Sequence, residues 1–128
     1  MGSEIPSETE LLSQFLNQNY RKEDVRRNVR LGKIRSLEHG KYLTLLQRKA
    51  DAVVVYDDMI DIIEAKPKPD PEAMGQLLFY KWLLRQTPEY ENMINKPIFL
   101  ILLTCLHDSD LEECCAHYGI SYRVFSTF

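Results

Sequence analysis

Asp51, Glu64 and Lys66 are the residues of this 128-residue chain whose types and spacing suit a reaction. Two carboxylates can hold Mg²⁺ or Mn²⁺ through oxygen while leaving waters and open positions for a phosphate. A metal held in this way polarises a phosphoryl oxygen and lowers the pKa of a bound water, which becomes the nucleophile. A lysine beside that water orients it or offsets charge on the pentacovalent transition state. The linear pattern alone is weak, because Glu-x-Lys arises by chance in many proteins. Its bland reading is a surface Glu–Lys pair and an aspartate near a turn. Convergence has to come from the elements that carry the three side chains.

Two β-rich runs, Ala50 to Tyr56 and Met59 to Lys66, flank Asp57-Asp58 and predict a hairpin. In an antiparallel pair the start of the first strand lies opposite the end of the second. Glu64 and Lys66 are two apart and share a face. All three side chains then meet at the border of a core that includes Ile60, Ile62 and Ile63. Before the hairpin, Ser7 and Glu10 form a capping-box pattern, and Leu11, Leu12, Phe15 and Leu16 make one apolar stripe of a helix fading near Asn17 to Tyr20. Val25 to Ile34 alternates loosely as a strand, with Val29 and Leu31 inward. Residues 36–48 are ambiguous: Gly40 suggests a turn, and Tyr42 to Gln47 fits either a strand or a short helix.

After the hairpin, Pro67, Pro69 and Pro71 end the strand, and Pro71 suits the first turn of a helix running to Arg85. That helix is expected to bury Met74, Leu77, Leu78 and Leu84, with Trp82 in the core or anchoring an interface. Pro97 to Cys105 reads as a continuous apolar strand, Asp108 to Tyr118 as a helix stopped by Gly119, and Ile120 to Phe125 as a last strand. The order α-β-β-β-α-β-α-β predicts an α/β fold, a mixed sheet flanked by helices, in one domain over residues 1–128.

Composition agrees with a globular chain, 45% hydrophobic and 27% charged. No apolar run is long enough to span a bilayer, so no membrane is expected as a partner. No secretory signal pattern is present at the N-terminus. Three cysteines without a CxxC indicate neither a disulfide framework nor a thiolate cluster, and a cytoplasmic location (or a host cell's interior, were the source viral) fits best. The net charge of −3 conceals an asymmetry. Residues 21–49 hold ten Lys/Arg against three acids, whereas residues 50–128 sum to −7. The basic third could contact phosphates and the acidic part divalent cations; a solvated basic face is the alternative. His39, His107 and His117 show no metal-ligand spacing, and Cys114-Cys115 beside Glu112 and Glu113 reads as half-buried packing.

The stretch Lys49-Ala50-Asp51-Ala52-Val53-Val54-Val55, followed by Ile62-Ile63-Glu64-Ala65-Lys66, resembles the PD-(D/E)xK nuclease superfamily. Gln76-Leu77-Leu78-Phe79-Tyr80 falls where RecB-like members carry a Q-x-x-x-Y helix motif, and four-residue spacing puts Gln76 and Tyr80 on one helical face. Glu8-Thr9-Glu10-Leu11-Leu12 looks like the first-helix segment from which a glutamate reaches the metal in Holliday-junction-resolvase-like members, with Glu8 at the matching position. Periodicity also places Glu8 on the stripe of Leu11 and Leu12. An acid in the first turn merely complementing the helix dipole is the alternative. Ala50 departs from the motif's proline, and the cysteine count excludes the iron–sulfur cluster of some RecB-like members. The resemblance covers residues 7–104, with sharp motifs from Lys49 to Tyr80.

The resemblance implies a restriction-endonuclease-like core and a Mg²⁺- or Mn²⁺-dependent nuclease acting on DNA, RNA not being excluded. Asp51, Glu64 and the carbonyl of Ala65, with Glu8, would ligate metal; Lys66 would position the attacking water, with Gln76 and Tyr80 assisting. Arg26, Arg27, Arg30, Lys33 and Arg35, on the strand before the hairpin, would then track the phosphate backbone. With no separate specificity domain, recognition of a junction, flap or end is expected over reading of a long base sequence. A homodimer built on Trp82 is a further expectation. The alternative from another class is a nucleic-acid-binding or assembly module that keeps the fold without turnover.

Overall fold

The computed structural model describes residues 5–32 and 49–125. Lys33, Arg35, His39, the expected strand end at Ile34 and the ambiguous segment 36–48 lie outside the described residues. Helix α1 (Glu8–Asn19) is followed by β1 (Val25–Arg30), β2 (Lys49–Tyr56), β3 (Met59–Ala65), α2 (Glu72–Leu84), β4 (Ile98–Thr104), α3 (Ser109–His117) and β5 (Ile120–Val124). Short 3-10 turns, Lys22–Asp24 and Pro88–Met93, precede β1 and β4. Among the described residues this is the predicted order. The five strands form one sheet in sequence order, antiparallel from β1 to β3 and parallel from β3 to β5. Parallel neighbours cannot be joined by a tight turn, so α2 and α3 serve as the crossovers.

The sheet carries a core on each face. On one, Ile60, Ile62, Leu100 and Leu102 pack with Ala73, Leu77 and Leu84 of α2 and with Leu111 and Cys115 of α3. On the other, Leu11, Leu12, Phe15 and Leu16 of α1 pack on Val54, Ile63, Ile101 and Leu103. Strands covered on both faces read as near-continuous apolar runs, as β3 and β4 do. Asp61, one of two acids inside that run, is 4% exposed and accepts hydrogen bonds from Tyr20 Oη at 2.5 Å and Tyr56 Oη at 3.0 Å. This satisfies a charge that would otherwise be costly to bury.

Helix caps are formed locally. The Ser7 hydroxyl accepts from the Glu10 N–H at 3.1 Å and donates to its carboxylate at 3.2 Å, and the Asp108 carboxylate caps α3 through the Leu111 N–H. Gly119 ends α3 at φ +73°, a conformation that opposes a Cβ. Gly119→Ala is expected to cost about 1 kcal/mol, read as a lowered thermal midpoint.

Two expectations about packing are corrected. Leu78 is 40% exposed and Met74 only half-buried, because α2 rests on the sheet through Ala73, Leu77, Tyr80 and Leu84. Trp82, 57% exposed, is not in the core; it stacks on Phe79 with ring centroids 6.4 Å apart. Apolar residues surround this helix, so its periodicity does not mark the inward side. β1 ends at Arg30, with Leu31 buried just beyond it and Gly32 at φ +105°. A Cβ on Gly32 would meet Leu83 Cδ2 at 3.2 Å, and its N–H donates to Thr87 Oγ1 at 2.8 Å, so the chain passes close over the end of α2.

Candidate active site

The β2–β3 register pairs Ala52 with Ile63, and the next step along it sets Asp51 opposite Glu64. Residues directly opposite in an antiparallel pair share a face. Here the two carboxylates are interlocked through backbone. Asp51 Oδ2 accepts the Ala65 N–H at 2.9 Å, while the Asp51 N–H donates to Glu64 Oε1 at 2.9 Å. Side chains thus replace ladder bonds at the open end of the hairpin and fix both acids at one point. Glu64 is 2% exposed.

Lys66 follows directly and is anchored by its neighbours. Its N–H donates to the Leu103 carbonyl at 2.8 Å, and the Pro67 carbonyl accepts from Cys105 N at 3.0 Å and Thr104 Oγ1 at 3.1 Å. The parallel pairing with β4 therefore extends past the last residue of β3 and holds the lysine stem. Its Nζ lies 3.4 Å from Glu8 Oε1. Glu8 is exposed and reaches the centre through Lys66; its charge also acts on Asp51 and Glu64.

The electrostatics are those of acids held together without enough positive charge. Burial, then repulsion from Asp51, pushes the Glu64 carboxyl up to about 8. Burial likewise raises Asp51 above the usual carboxylate range, opposed by the Ala65 N–H and the charges of Lys66 and Arg27. Burial alone would lower Lys66, but the carboxylates of Glu8, Glu64 and Asp51 outweigh it and hold the ammonium charged. Tyr80, 7% exposed on α2, is raised to about 12 by burial and by the nearby charges of Glu64 and Asp51, so the helix brings its phenol to the centre. Gln76, one turn earlier on the same face, has a buried Oε1 that accepts no hydrogen bond among the described residues. Such an orphaned acceptor is costly unless it has a partner.

Among the described residues no three His, Cys, Asp or Glu side chains form a metal-binding cluster. Two carboxylates are nevertheless a sufficient protein contribution for Mg²⁺, which keeps several waters and takes further ligands from phosphate. The donor set fits: paired oxygens, a deficit of positive charge, and an unsatisfied acceptor one turn before Tyr80 on α2.

The basic residues diverge. Arg26 donates to Tyr90 Oη at 3.2 Å with its guanidinium 5.4 Å from that ring's centroid. Arg27 donates to Ser13 Oγ at 3.1 Å, on the α1 side, and its charge is felt by Asp51. Arg30 is exposed. The Ser13 contact was absent from the sequence reading: nothing in one-dimensional periodicity joins a helix serine to a strand arginine. The buried Asp61 had a signal, a lone acid between Ile60 and Ile62. His107 pairs with Glu112 at 2.8 Å on the surface, and Cys115 is buried beside an exposed Cys114.

Among solved structures, a repair endonuclease from Pyrococcus abyssi resembles the chain with a TM-score of 0.57 at 19% identity. The EndoMS–dsDNA complex does so with a TM-score of 0.56 at 15% identity. Each alignment covers 98% of this chain, which spans about half the length of those proteins, 50% and 47% respectively. No protein-family model matches the chain, and no curated protein matches it. At such identity the likeness establishes the fold: a mixed α/β sheet flanked by helices, shared with part of each endonuclease. Among the described residues no helix is long and apolar enough to cross a membrane.

Proposed function

We propose that this chain is a metal-dependent nuclease domain of the PD-(D/E)xK type that hydrolyses phosphodiester bonds in DNA. The observation that carries the reading is the interlocked pair Asp51 and Glu64, with the buried Glu64 carboxyl held up to about 8 and Lys66 alongside. Two backbone N–H donors and the charge of Lys66 offset the pair only in part, so Glu64 stays raised and the pair is poised to take a divalent ion. The likeness to endonucleases, one of them complexed with double-stranded DNA, supports DNA as substrate.

Asp51 and Glu64, with the Ala65 carbonyl, would hold Mg²⁺ or Mn²⁺, which when bound supplies Lewis-acid activation of the phosphodiester and a low-pKa water. Lys66, kept charged, orients the attacking water and offsets charge developing on the phosphoryl oxygens. Glu8 positions Lys66 through their contact and would add a further carboxylate to the metal's surroundings. Gln76 Oε1 would accept from a water of the centre, and the Tyr80 hydroxyl, raised to about 12, would donate. The arginines of β1 supply phosphate contacts.

Metal binding tests this directly. Ions displace protons from raised carboxyls, so Mn²⁺ binding at pH 7 is expected to release close to one proton, seen by calorimetry in buffers of different ionisation enthalpy. Wild-type protein that binds neither Mn²⁺ nor Mg²⁺ would instead favour a non-catalytic nucleic-acid-binding module. The exposed Leu78, Phe79 and Trp82 on the outer side of α2 support self-association as a dimer, and light scattering showing only monomer at high concentration overturns that part.

A further inference from the structure

Between α1 and β1, outside the Asp51–Glu64 pair itself, lies a groove of about 500 Å³. Ser13, Leu16 and Asn17 line it from the helix and Tyr20 from just past the helix end; Lys22, Val25 and Arg27 line it from the chain opposite. Residues 13, 16 and 17 fall on one helical face, so the helical lining runs about 6 Å along α1 before Tyr20 continues it in extended backbone. Its size is that of a small-ligand site and exceeds what one bound phosphate needs.

The cations that reach this groove are those left without acidic partners. Arg21 is paired with Glu23 and Asp24, and Arg26 is turned to Tyr90 on the other side of the sheet. Lys22 and Arg27, in contrast, make no ion pair among the described residues; the contact of Arg27 is with the neutral Ser13 hydroxyl. Serine, asparagine, lysine and arginine together form a donor-rich wall with no carboxylate in it, which suits an anion. Tyr20 is held rigid. Its hydroxyl is fixed by Asp61 at 2.5 Å, and its ring meets Phe15 and Tyr56 edge-on at 6.1 and 5.6 Å. A preorganised aromatic beside a cationic wall matches a nucleotide, which combines a phosphate with a flat, partly apolar base. The groove also adjoins the strand that carries the centre, since Arg27 of β1 pairs with Ala52, the residue next to Asp51 on β2.

We infer that the α1–β1 groove binds one nucleotide of a single-stranded segment next to the phosphodiester at Asp51 and Glu64, with Arg27 and Lys22 on its phosphate and Tyr20 against its base. This rests on the nuclease reading for the identity of the neighbouring phosphodiester. The strand would enter beside the sheet edge, and the domain would select frayed, flapped or terminal nucleotides over intact duplex.

The test is binding of a fluorescein-labelled ten-nucleotide single strand, followed by anisotropy in EDTA so that no metal contributes. Asn17→Trp fills the groove, Arg27→Gln removes the phosphate contact, and Lys81→Gln on the exposed surface of α2 serves as control; all three positions are exposed. Asn17→Trp and Arg27→Gln are each expected to weaken binding at least about tenfold, and Lys81→Gln less than about twofold. Binding by both groove variants within twofold of wild type, or no binding by wild type, overturns the inference. Cleavage with Mn²⁺ run in parallel separates the two readings. Groove-dependent binding without any cleavage would leave the groove and remove the nuclease, whereas normal KM for cleavage by Asn17→Trp would do the reverse.

Discussion

Glu64→Gln will abolish metal-dependent DNA cleavage, lowering it at least about a thousandfold, or roughly 4 kcal/mol, while making the folded protein more stable. The two effects have one cause. Glu64 is buried opposite a second carboxylate, and burial then repulsion raise it to about 8. A carboxyl whose folded pKa exceeds its unfolded value takes up a proton on folding, so its stabilising contribution is fully present below the unfolded value near 4.5 and is lost as pH rises through about 8. The wild-type protein should therefore lose stability between about pH 4.5 and 8 and level off above. Glutamine keeps an acceptor for the Asp51 N–H but cannot ionise. Its thermal midpoint should exceed that of wild type at pH 8.5, by roughly 5–10 °C for a gain on the order of 2 kcal/mol, and the difference should close toward pH 4.5. Mg²⁺ should then stabilise wild type and not the variant. A variant that is destabilised at pH 8.5 would show that Glu64 is an ordinary structural acid, and undiminished cleavage would remove it from the chemistry.

Lys66→Met will lower cleavage about a hundredfold or more with little change in fold or in metal affinity. Methionine keeps much of the length and apolar stem of lysine and removes the charge. The lysine is positioned through backbone, by its own N–H on Leu103 and by Pro67 on Cys105 and Thr104, and those bonds survive the substitution. Its ion pair with Glu8 has an exposed partner and adds little to stability. With the ammonium gone, Asp51 and Glu64 face each other without a countercharge, so Mn²⁺ should bind at least as tightly as to wild type. A loss confined to kcat assigns Lys66 to the transition state; a parallel loss of Mn²⁺ affinity would mean that it organises the acids instead.

Much of this molecule could be read along the chain. Alternation and turn residues define the hairpin, capping residues set the starts of α1 and α3, and Gly119 marks the end of α3, since each depends on neighbours within a few positions. The antiparallel geometry of a two-residue turn carries Asp51 to Glu64, so even the meeting of the two acids is implied by local pattern. The inward side of α2 was not. Leu77 is buried and Leu78 exposed although both are leucine, and the choice falls to which face meets Ile62 and Leu102.

The centre that began as Asp51, Glu64 and Lys66 divides the same way. The sequence by itself determines which acids and which amine are available and that a hairpin brings the acids together, because strand pairing across a short turn is a local matter. Only the tertiary structure decides their charge state and their reach. Burial under α2 raises Glu64, the extension of β4 pairing past Ala65 aims Lys66, and the seat of α1 on the far face brings Glu8 to that lysine and Ser13 to Arg27. Those contacts join residues 14 to 58 positions apart, and desolvation depends on everything packed around a group. Neither quantity is carried by the spacing of residues along a chain.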